Sequence, residues 1–381
     1  MIYLDNAATS FPKPPQVYDA VNAFMRSIGA SAARSAHRSG VEAGRIVFSA
    51  RERLASLFSV KDAARIVFTS NATAGLNTIL LGALKPGDTV ITSSMEHNSV
   101  MRPLHHLAKE RGVQVRVMPC DRYGTFDRAA WESACADRPK LAIVNHGSNV
   151  VGTIAPLEAI GSTCKKHGVL FAVDAAQTAG AVPIDAEAMN IDFLAFSGHK
   201  GLLGIQGTGG LFIRTGCDPL PLTFGGTGSN SESDEQPPFL PDRYESGTHN
   251  GPGIAALDAG VAFIEKQGIP AIMRHGADLV RDLFDRLGAI PRIISHGPKN
   301  PDVMLPTVSL TINGLDNGAV AQRLNDEFDI AVRVGLHCAP MAHRTIGTFP
   351  AGTIRISPGV FTTQKDIVVL VAALEKICGL P

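Results

Sequence analysis

The chain lacks any long hydrophobic run. Its most apolar stretches, such as Ile367 to Leu374, fall far short of the roughly 20 residues that span a bilayer. Charge of one sign is missing too: 35 basic residues balance 35 acidic ones, and no block of like charges interrupts the balance. Nothing therefore points to nucleic acid or an anionic membrane as a partner. The 6 cysteines, at positions 120, 135, 164, 217, 338 and 378, have no paired spacing. They read as reduced thiols rather than a disulfide framework, which suits the cytoplasm. Met1 to Pro15 lacks a basic stretch leading into an apolar one, so no secretory signal is expected. Neither an internal repeat nor a low-complexity segment is present.

What remains is an ordinary globular composition, 45% hydrophobic and 18% charged, with a length of 381 residues that allows two or three domains. From Arg65 to Ile213, short β-branched runs alternate with amphipathic segments. The spacing predicts strands at Arg65–Thr69, Thr89–Thr92, Gln114–Met118, Leu141–Asn145, Leu170–Asp174, Asp192–Phe196 and Gly210–Ile213. It predicts helices at Thr73–Leu84, Asn98–Arg111, Asp127–Cys135 and Leu157–His167. Near-continuous apolar strands separated by helices indicate an α/β fold with a mostly parallel seven-stranded sheet covered on both faces. Leu222 to Asn250 is a long polar excursion, the kind of loop that is usually functional or mobile. A helix is expected at Gly253 to Lys266, followed by helix, strand, helix, strand, helix in a smaller α+β domain whose last helix lies near Lys365–Ile377. The expected division is an N-terminal segment over 1–14 that packs near the small domain and the active site, a large domain over 15–255 and a small domain over 256–381.

Open parallel sheets bind ligands beyond the carboxyl ends of their strands. The polar residues of this chain cluster there repeatedly. Asn71-Ala72-Thr73 follows the first strand and opens a helix, where backbone amides and a hydroxyl can cradle a phosphate. Glu96-His97-Asn98 follows the second strand, Ser148-Asn149 the fourth, Asp174 and Gln177 the fifth, and Ser197, His199 and Lys200 the sixth. A lysine for a Schiff base and an aspartate for a pyridinium nitrogen are what pyridoxal phosphate needs. Taken singly, each residue has a plainer explanation. Thr73 can be a helix cap, Asp174 a cap or surface ion pair, His97 a structural histidine and Lys200 a solvated loop lysine. The glycines of Gly204-Ile205-Gln206-Gly207-Thr208-Gly209 open no clear helix, so a dinucleotide site is not expected. The functional case rests on the set.

The set resembles the class V aminotransferase family of fold-type I pyridoxal phosphate enzymes, and within it the cysteine desulfurase and selenocysteine lyase branch. The resemblance begins at Tyr3-Leu4-Asp5-Asn6-Ala7-Ala8-Thr9 and continues through Glu96-His97-Asn98, Ser148-Asn149-Val150-Val151-Gly152-Thr153, Val173-Asp174-Ala175-Ala176-Gln177 and Ser197-Gly198-His199-Lys200. It ends at Arg333-Val334-Gly335-Leu336-His337-Cys338 and Ile354-Arg355-Ile356-Ser357. It implies that Lys200 holds pyridoxal 5'-phosphate covalently and later moves protons. Asp174 would pair with the ring nitrogen, and His97 would stack on the ring and relay protons as a catalytic residue. Gln177 and Asn149 would address the ring hydroxyl and the substrate. Ala72, Thr73, Ser197 and His199 would hold the phosphate, and Thr248 would reach the phosphate of a neighbouring subunit in a homodimer. Arg355 would bind the substrate carboxylate in a bidentate fashion that lysine cannot imitate. Arg34 is a further candidate for the substrate.

Cys338 is the residue that separates activities. A desulfurase needs a thiolate to attack substrate sulfur, and Cys338 lies on a segment flanked by glycine and proline, Gly335 to Pro340, expected to be exposed. A free cysteine is more commonly a small buried hydrophobe. His337, Arg344 and Arg355 are candidates to favour the thiolate. His337, Cys338 and His343 lack a second ligand pair with metal spacing, so no metal site is expected. The chain departs from the family in two places. Ser31-Ala32-Ala33-Arg34-Ser35-Ala36-His37 stands where relatives carry an Asn-Pro-Gly-Arg type turn, and His249-Asn250-Gly251 follows Thr248 where many have Pro-Asn. The implied reaction converts L-cysteine to L-alanine through a Cys338 persulfide and passes the sulfur to an acceptor protein or small thiol, a role in sulfur metabolism. The alternatives are a selenocysteine lyase, a C–S lyase or an aminotransferase on the same cofactor, or a non-enzymatic binding protein on the same fold.

Overall fold

Strands as apolar as Leu141–Asn145 are stable only where both faces are covered. In the computed structural model, which describes residues 1–32 and 36–379, they form the middle of a seven-stranded sheet. The chain starts with the two-residue strand β1 (Ile2–Tyr3) and helices α1 (Pro15–Ala23) and α2 (Arg38–Leu57). The sheet strands follow: β2 (Ile66–Thr69), β3 (Thr89–Ser93), β4 (Gln114–Met118), β5 (Leu141–Asn145), β6 (Leu170–Asp174), β7 (Phe193–Ser197) and β8 (Gly209–Ile213). Helices α3 (Ala72–Ala83), α4 (Asn98–Arg111), α5 (Arg128–Ala136) and α6 (Leu157–His167) lie between them in the chain.

Across the sheet the order is β2-β8-β7-β6-β5-β3-β4. All strands are parallel except β8, which runs antiparallel to both neighbours. The link from β7 to β8 contains no helix, and a parallel return needs a long crossover. The mostly parallel seven-stranded sheet is as the sequence led us to expect. Strand β7 starts one residue later than expected. The Asp192 carboxylate is spent on the Phe171 amide (2.8 Å) and on Arg214 (3.1 Å), which anchors the turn before the strand.

Alternation along β7 divides the cover. Phe193 and Ala195 join a core with Leu76, Leu80, Val100 and Leu104 of α3 and α4. Leu194 and Phe196 face the opposite core, with Leu54, Phe58, Leu257 and Val261. This period of two is what a strand buried on both faces must show. The second core recruits α7 (Gly251–Gln267), which is longer at both ends than the expected Gly253–Lys266. Residue 255, where the large domain was expected to end, lies inside this helix.

Beyond α7 come α8 (Ile269–Leu287), β9 (Ile293–His296), β10 (Val308–Ile312), α9 (Asn317–Phe328), β11 (Ile330–Ala331), β12 (Arg333–Gly335), α10 (Pro340–Thr345), β13 (Thr353–Ile356) and α11 (Gln364–Ile377). A four-stranded antiparallel sheet in the order β12-β13-β10-β9 replaces the two strands expected here. Its strands are little shorter than those of the central sheet, but β9 and β12 are only partly buried and carry no continuous apolar run to mark them. Its own core includes Leu283, Leu310, Ile354, Leu370 and Leu374. No helix among the described residues is long and apolar enough to cross a membrane.

The N-terminal segment ties this smaller sheet to the end of β7. Strand β1 pairs in parallel with β11. The Asn6 amide and side chain both donate to the Ser357 carbonyl, at 3.1 and 3.0 Å. A side chain at Gly359 would place its Cβ 2.4 Å from the Asn6 side chain and force that amide to move. Four residues further on, the Ser10 hydroxyl donates to the carbonyls of His199 and Lys200 at 3.1 and 3.0 Å.

Candidate active site

The carboxyl ends of the parallel strands converge on one cavity. Asp174 ends β6, and in register with it Asn145 ends β5. Lys200 follows β7 by three residues. Ala72 and Thr73 open α3, and His97 caps the start of α4. The cavity wall includes Ala72, Thr73, His97, Asn149, Asp174, Gln177, Ser197 and Lys200, together with Ser99, Asn145, Gly147 and Ala176. Most of the residues singled out from sequence thus meet in one place.

Hydrogen bonds fix the wall. The Ala176 amide donates to Asp174 Oδ1 at 2.9 Å. Gln177 Nε2 donates to the Ala7 carbonyl at 2.9 Å, which brings the N-terminal segment to the rim. Asn149 Nδ2 donates to the His337 carbonyl at 2.7 Å. The Ser99 amide donates to His97 Nδ1 at 3.1 Å, so in the neutral ring the proton resides on Nε2.

Burial sets the electrostatics. It pulls the Lys200 amine down to about 8; Asp174 and Cys338 oppose the shift, and Arg355 and Arg333 add to it. It raises the Asp174 carboxyl, against the Ala176 amide and Lys200. It lowers His97 to about 4, helped first by Lys200, so the imidazole is neutral near pH 7. Behind the wall, the fully buried Glu96 is pushed up to about 8 by burial, although Ser93 and the Asn145 amide bond to it. An amine near its midpoint, a neutral imidazole and a buried carboxyl are groups that can hold or move a proton around neutrality.

Four expected residues lie outside this wall. Cys338 is exposed and shares a groove with Thr73, His97, Ser99, Arg102 and His106. Three of these, Thr73, His97 and Ser99, also belong to the cavity, so the groove that holds the thiol adjoins it. Both His337 and Cys338 have left-handed backbone, with φ of 48° and 57°, a conformation that costs a non-glycine residue about 1–3 kcal/mol. Arg355, on β13, is 1% exposed; its Nη1 donates to the Asn149 carbonyl at 3.0 Å and its Nη2 pairs with Asp5. The imidazole of His199 is half-buried, while its carbonyl accepts from the Ser10 amide at 3.1 Å and Lys13 Nζ at 2.9 Å. Thr248 is exposed in a separate surface depression with Thr69, Ser70, Ser246 and Asn250. Arg34 lies outside the described residues.

Two of the groups expected to favour a Cys338 thiolate are otherwise occupied. His337 is buried, and burial followed by Arg355 lowers its imidazole to about 2, so it is neutral. Arg344 lies over the Phe349 ring, 4.1 Å from its centroid. His37, noted beside Arg34, accepts from the Gly40 amide at 3.2 Å and so caps α2. Among the described residues, no group of three or more His, Cys, Asp or Glu side chains is arranged to hold a metal.

Sequence reading missed Asn145 and Ser99 as parts of the site, and it gave no role to Glu96 or Asp5, although both stand in motifs it singled out. Asn145 ends an apolar strand as Asp174 does, and that shared position was a usable signal. Ser99 follows His97 within the first helical turn. Nothing local marks the pairing of Asp5, whose partner is 350 residues away.

Residues 2–370 match the family model described as aminotransferase class-V. The chain belongs to the class-V aminotransferase family. A probable cysteine desulfurase of Methanothermobacter thermautotrophicus is 34% identical to this class-V chain over 386 residues, spanning 100% of it and 95% of that protein. A probable cysteine desulfurase of Pyrococcus abyssi is also 34% identical, over 99% of this chain and 94% of that one. Among solved structures, the apo cysteine desulfurase of Thermococcus onnurineus superposes with a TM-score of 0.93 at 32% identity, covering 99% of this chain and 94% of that chain. A cysteine desulfurase from Escherichia coli does so with a TM-score of 0.88 at 27% identity, covering 98% and 94%. The α/β fold with its mostly parallel seven-stranded sheet is therefore the fold of this class-V group.

Proposed function

We propose that the chain is a pyridoxal 5'-phosphate-dependent cysteine desulfurase, converting L-cysteine to L-alanine and taking the sulfur onto Cys338. One observation carries the reading. The Lys200 amine and the Asp174 carboxylate line a single cavity, and the exposed Cys338 shares a groove with three residues of its wall. The full-length similarity to cysteine desulfurases supports the substrate.

The donor set fits the cofactor. The cavity wall offers the start of α3 with the Thr73 hydroxyl, and the Ser197 hydroxyl, suited to a phosphate. It also offers the buried Asp174 carboxyl, suited to a protonated ring nitrogen. His97 would lie over the ring, and Gln177 and Asn149 would face its hydroxyl and the substrate. When bound, the cofactor supplies an electron sink for charge developing at the substrate α-carbon.

The protein does the rest. Lys200, lowered to about 8 by burial, can take the α-proton on Nζ and return it. Arg355 would bind the substrate carboxylate, with Arg34 a further candidate. Neutral His97 carries its proton on Nε2 and can donate it. The Cys338 thiolate attacks the substrate sulfur: an S–S bond forms, the C–S bond breaks, and its electron pair stays with the carbon fragment. That fragment takes up protons and leaves as alanine, and Cys338 is left as a persulfide. A thiol or an acceptor protein then takes the terminal sulfur.

The proposed assembly is a homodimer in which Thr248 of each chain completes the phosphate site of the other. Its exposure outside the cavity of its own chain supports that reading. The proposed division into an N-terminal segment, a large domain and a small domain follows the two sheets, and the cytoplasm is the proposed location, in keeping with six free thiols.

Product analysis tests the reaction. Alanine with enzyme-bound persulfide supports desulfuration. Pyruvate with ammonia would mean a β-eliminating lyase instead.

A further inference from the structure

We propose that Asp5 is a built-in carboxylate that occupies Arg355 in the free protein and yields it to the carboxylate of the amino-acid substrate, so that Asp5 sets substrate affinity. The inference rests on the reading of Arg355 as the group that binds that carboxylate.

Arg355 is closed off. Its side chain is 1% exposed and it is among the largest fully buried side chains of the protein. A buried cation needs a counter-ion, and removing one partner of such a pair is costly. Asp5 is its ion partner, while the Asn149 carbonyl takes Nη1 at 3.0 Å and Nε has no partner. A substrate carboxylate arriving from the cavity beside Asn149 and gripped by Nε and Nη2 together must therefore take the Nη2 position that Asp5 now holds.

The two members of the pair are not equally trapped. The Asp5 side chain is 20% exposed, so it can rehydrate on leaving, whereas Arg355 cannot. Backbone contacts hold the segment independently of the carboxylate. Asp5 bridges Ser357, and the Tyr3 hydroxyl donates to the Asp5 carbonyl at 3.2 Å.

The local charge also leaves room for one more anion. Arg333 on β12 stands in register opposite Arg355 on β13. Among the described residues Arg333 forms no salt bridge, and its charge is near enough to act on the Arg355 guanidinium, so positive charge exceeds negative at this cluster. A second carboxylate is welcome at this cluster, but two carboxylates on the same edge of Arg355 repel. Asp5 and substrate are then competitors, coupled negatively through one guanidinium.

Steady-state kinetics of the holoenzyme with L-cysteine, beside equilibrium binding of L-alanine, tests this. In Asp5→Asn the competing charge is gone and the buried guanidinium lacks a counter-ion until ligand arrives. KM and the alanine dissociation constant should each fall by at least about threefold, with the change falling on KM more than on kcat. The free variant should melt earlier than wild type and recover more of the difference on adding L-alanine. Asp5→Glu, which restores the charge, should move both constants back toward wild type. Unchanged or weaker binding in Asp5→Asn overturns the proposal, since a merely structural ion pair would give that result. Arg355→Lys separates the two readings: if it binds L-alanine as wild type does, the assignment of Arg355 fails whatever Asp5 does. Should Asp5→Asn not fold, a crystal structure of the wild-type holoenzyme with L-alanine decides. Asp5 displaced from Arg355 supports the proposal; Asp5 still paired there beside bound ligand refutes it.

Discussion

The carbonyl of Cys338 accepts the backbone amide of Asn98 at 2.8 Å. This bond ties the exposed thiol segment of the smaller sheet to the residue that follows His97. The proposed nucleophile and the neutral imidazole are thus held in one frame, although they lie 241 positions apart in the chain. Pre-set geometry of this kind converts a chance encounter into a positioned one.

Replacing Asp174 with alanine should cost rate more than cofactor affinity. The carboxylate sits at the end of β6 with one oxygen already fixed by the Ala176 amide, so it is oriented before any ligand binds. Its loss is expected to lower kcat by about 100-fold or more, the range for removing one pre-oriented electrostatic group. Cofactor retention after gel filtration should change far less. A variant with near wild-type kcat would assign Asp174 a structural role only.

The pH dependence of cofactor capture should report on Lys200. Burial lowers its amine to about 8, and only the unprotonated amine can react with an aldehyde. Capture of pyridoxal phosphate by the cofactor-free protein should therefore quicken as pH rises toward 8 and level off above it. His97, lowered to about 4, stays neutral across that range and adds no second step. A rate still climbing at pH 10 would mean an unperturbed lysine. Borohydride reduction followed by peptide mapping should place the pyridoxyl group on Lys200.

The Thr248 loop is braced by a buried ion pair. Arg51 donates to both oxygens of Glu245 at 2.7 and 2.8 Å, and the Phe68 amide and His249 also bond to that carboxylate, at 2.6 and 2.8 Å. Glu245→Ala strands Arg51 in the interior, which typically costs about 3–5 kcal/mol. Chemical denaturation should register that loss. If the loop completes a site across a dimer, Thr248→Ala should loosen the cofactor without a comparable loss of stability, and wild type should sediment as a dimer. A fully active monomer at working concentration would refute the shared site.

The central sheet was legible in sequence because strands such as Leu141–Asn145 and Leu170–Asp174 are buried on both faces and so carry no polar interruption. The bounds of α4 were legible too, with His97 as its cap and the left-handed Gly112 after its last residue. The cavity could be anticipated because its residues sit at strand ends and helix starts, positions that sequence marks. What resisted reading was tertiary. The short strands of the smaller sheet owe their pairing to partners far along the chain. His337 appears polar in sequence, yet burial keeps it neutral. Arg355 was assigned to substrate, and its engagement by Asp5 in the free protein follows from the parallel docking of β1 on β11, which no local pattern announces.

The most direct test of the account is to give L-cysteine to the Cys338→Ala holoenzyme and to wild type, and to follow alanine and protein persulfide together. Wild type should release alanine and carry its persulfide on the Cys338 peptide. The variant should retain the cofactor, since Lys200 and Asp174 are untouched, and release alanine at a rate lower by about 100-fold or more, because the sulfur has lost its nucleophile. Full alanine output from the variant, or a wild-type persulfide mapped to any of the other five cysteines, would contradict the assignment of Cys338 and with it the desulfurase mechanism.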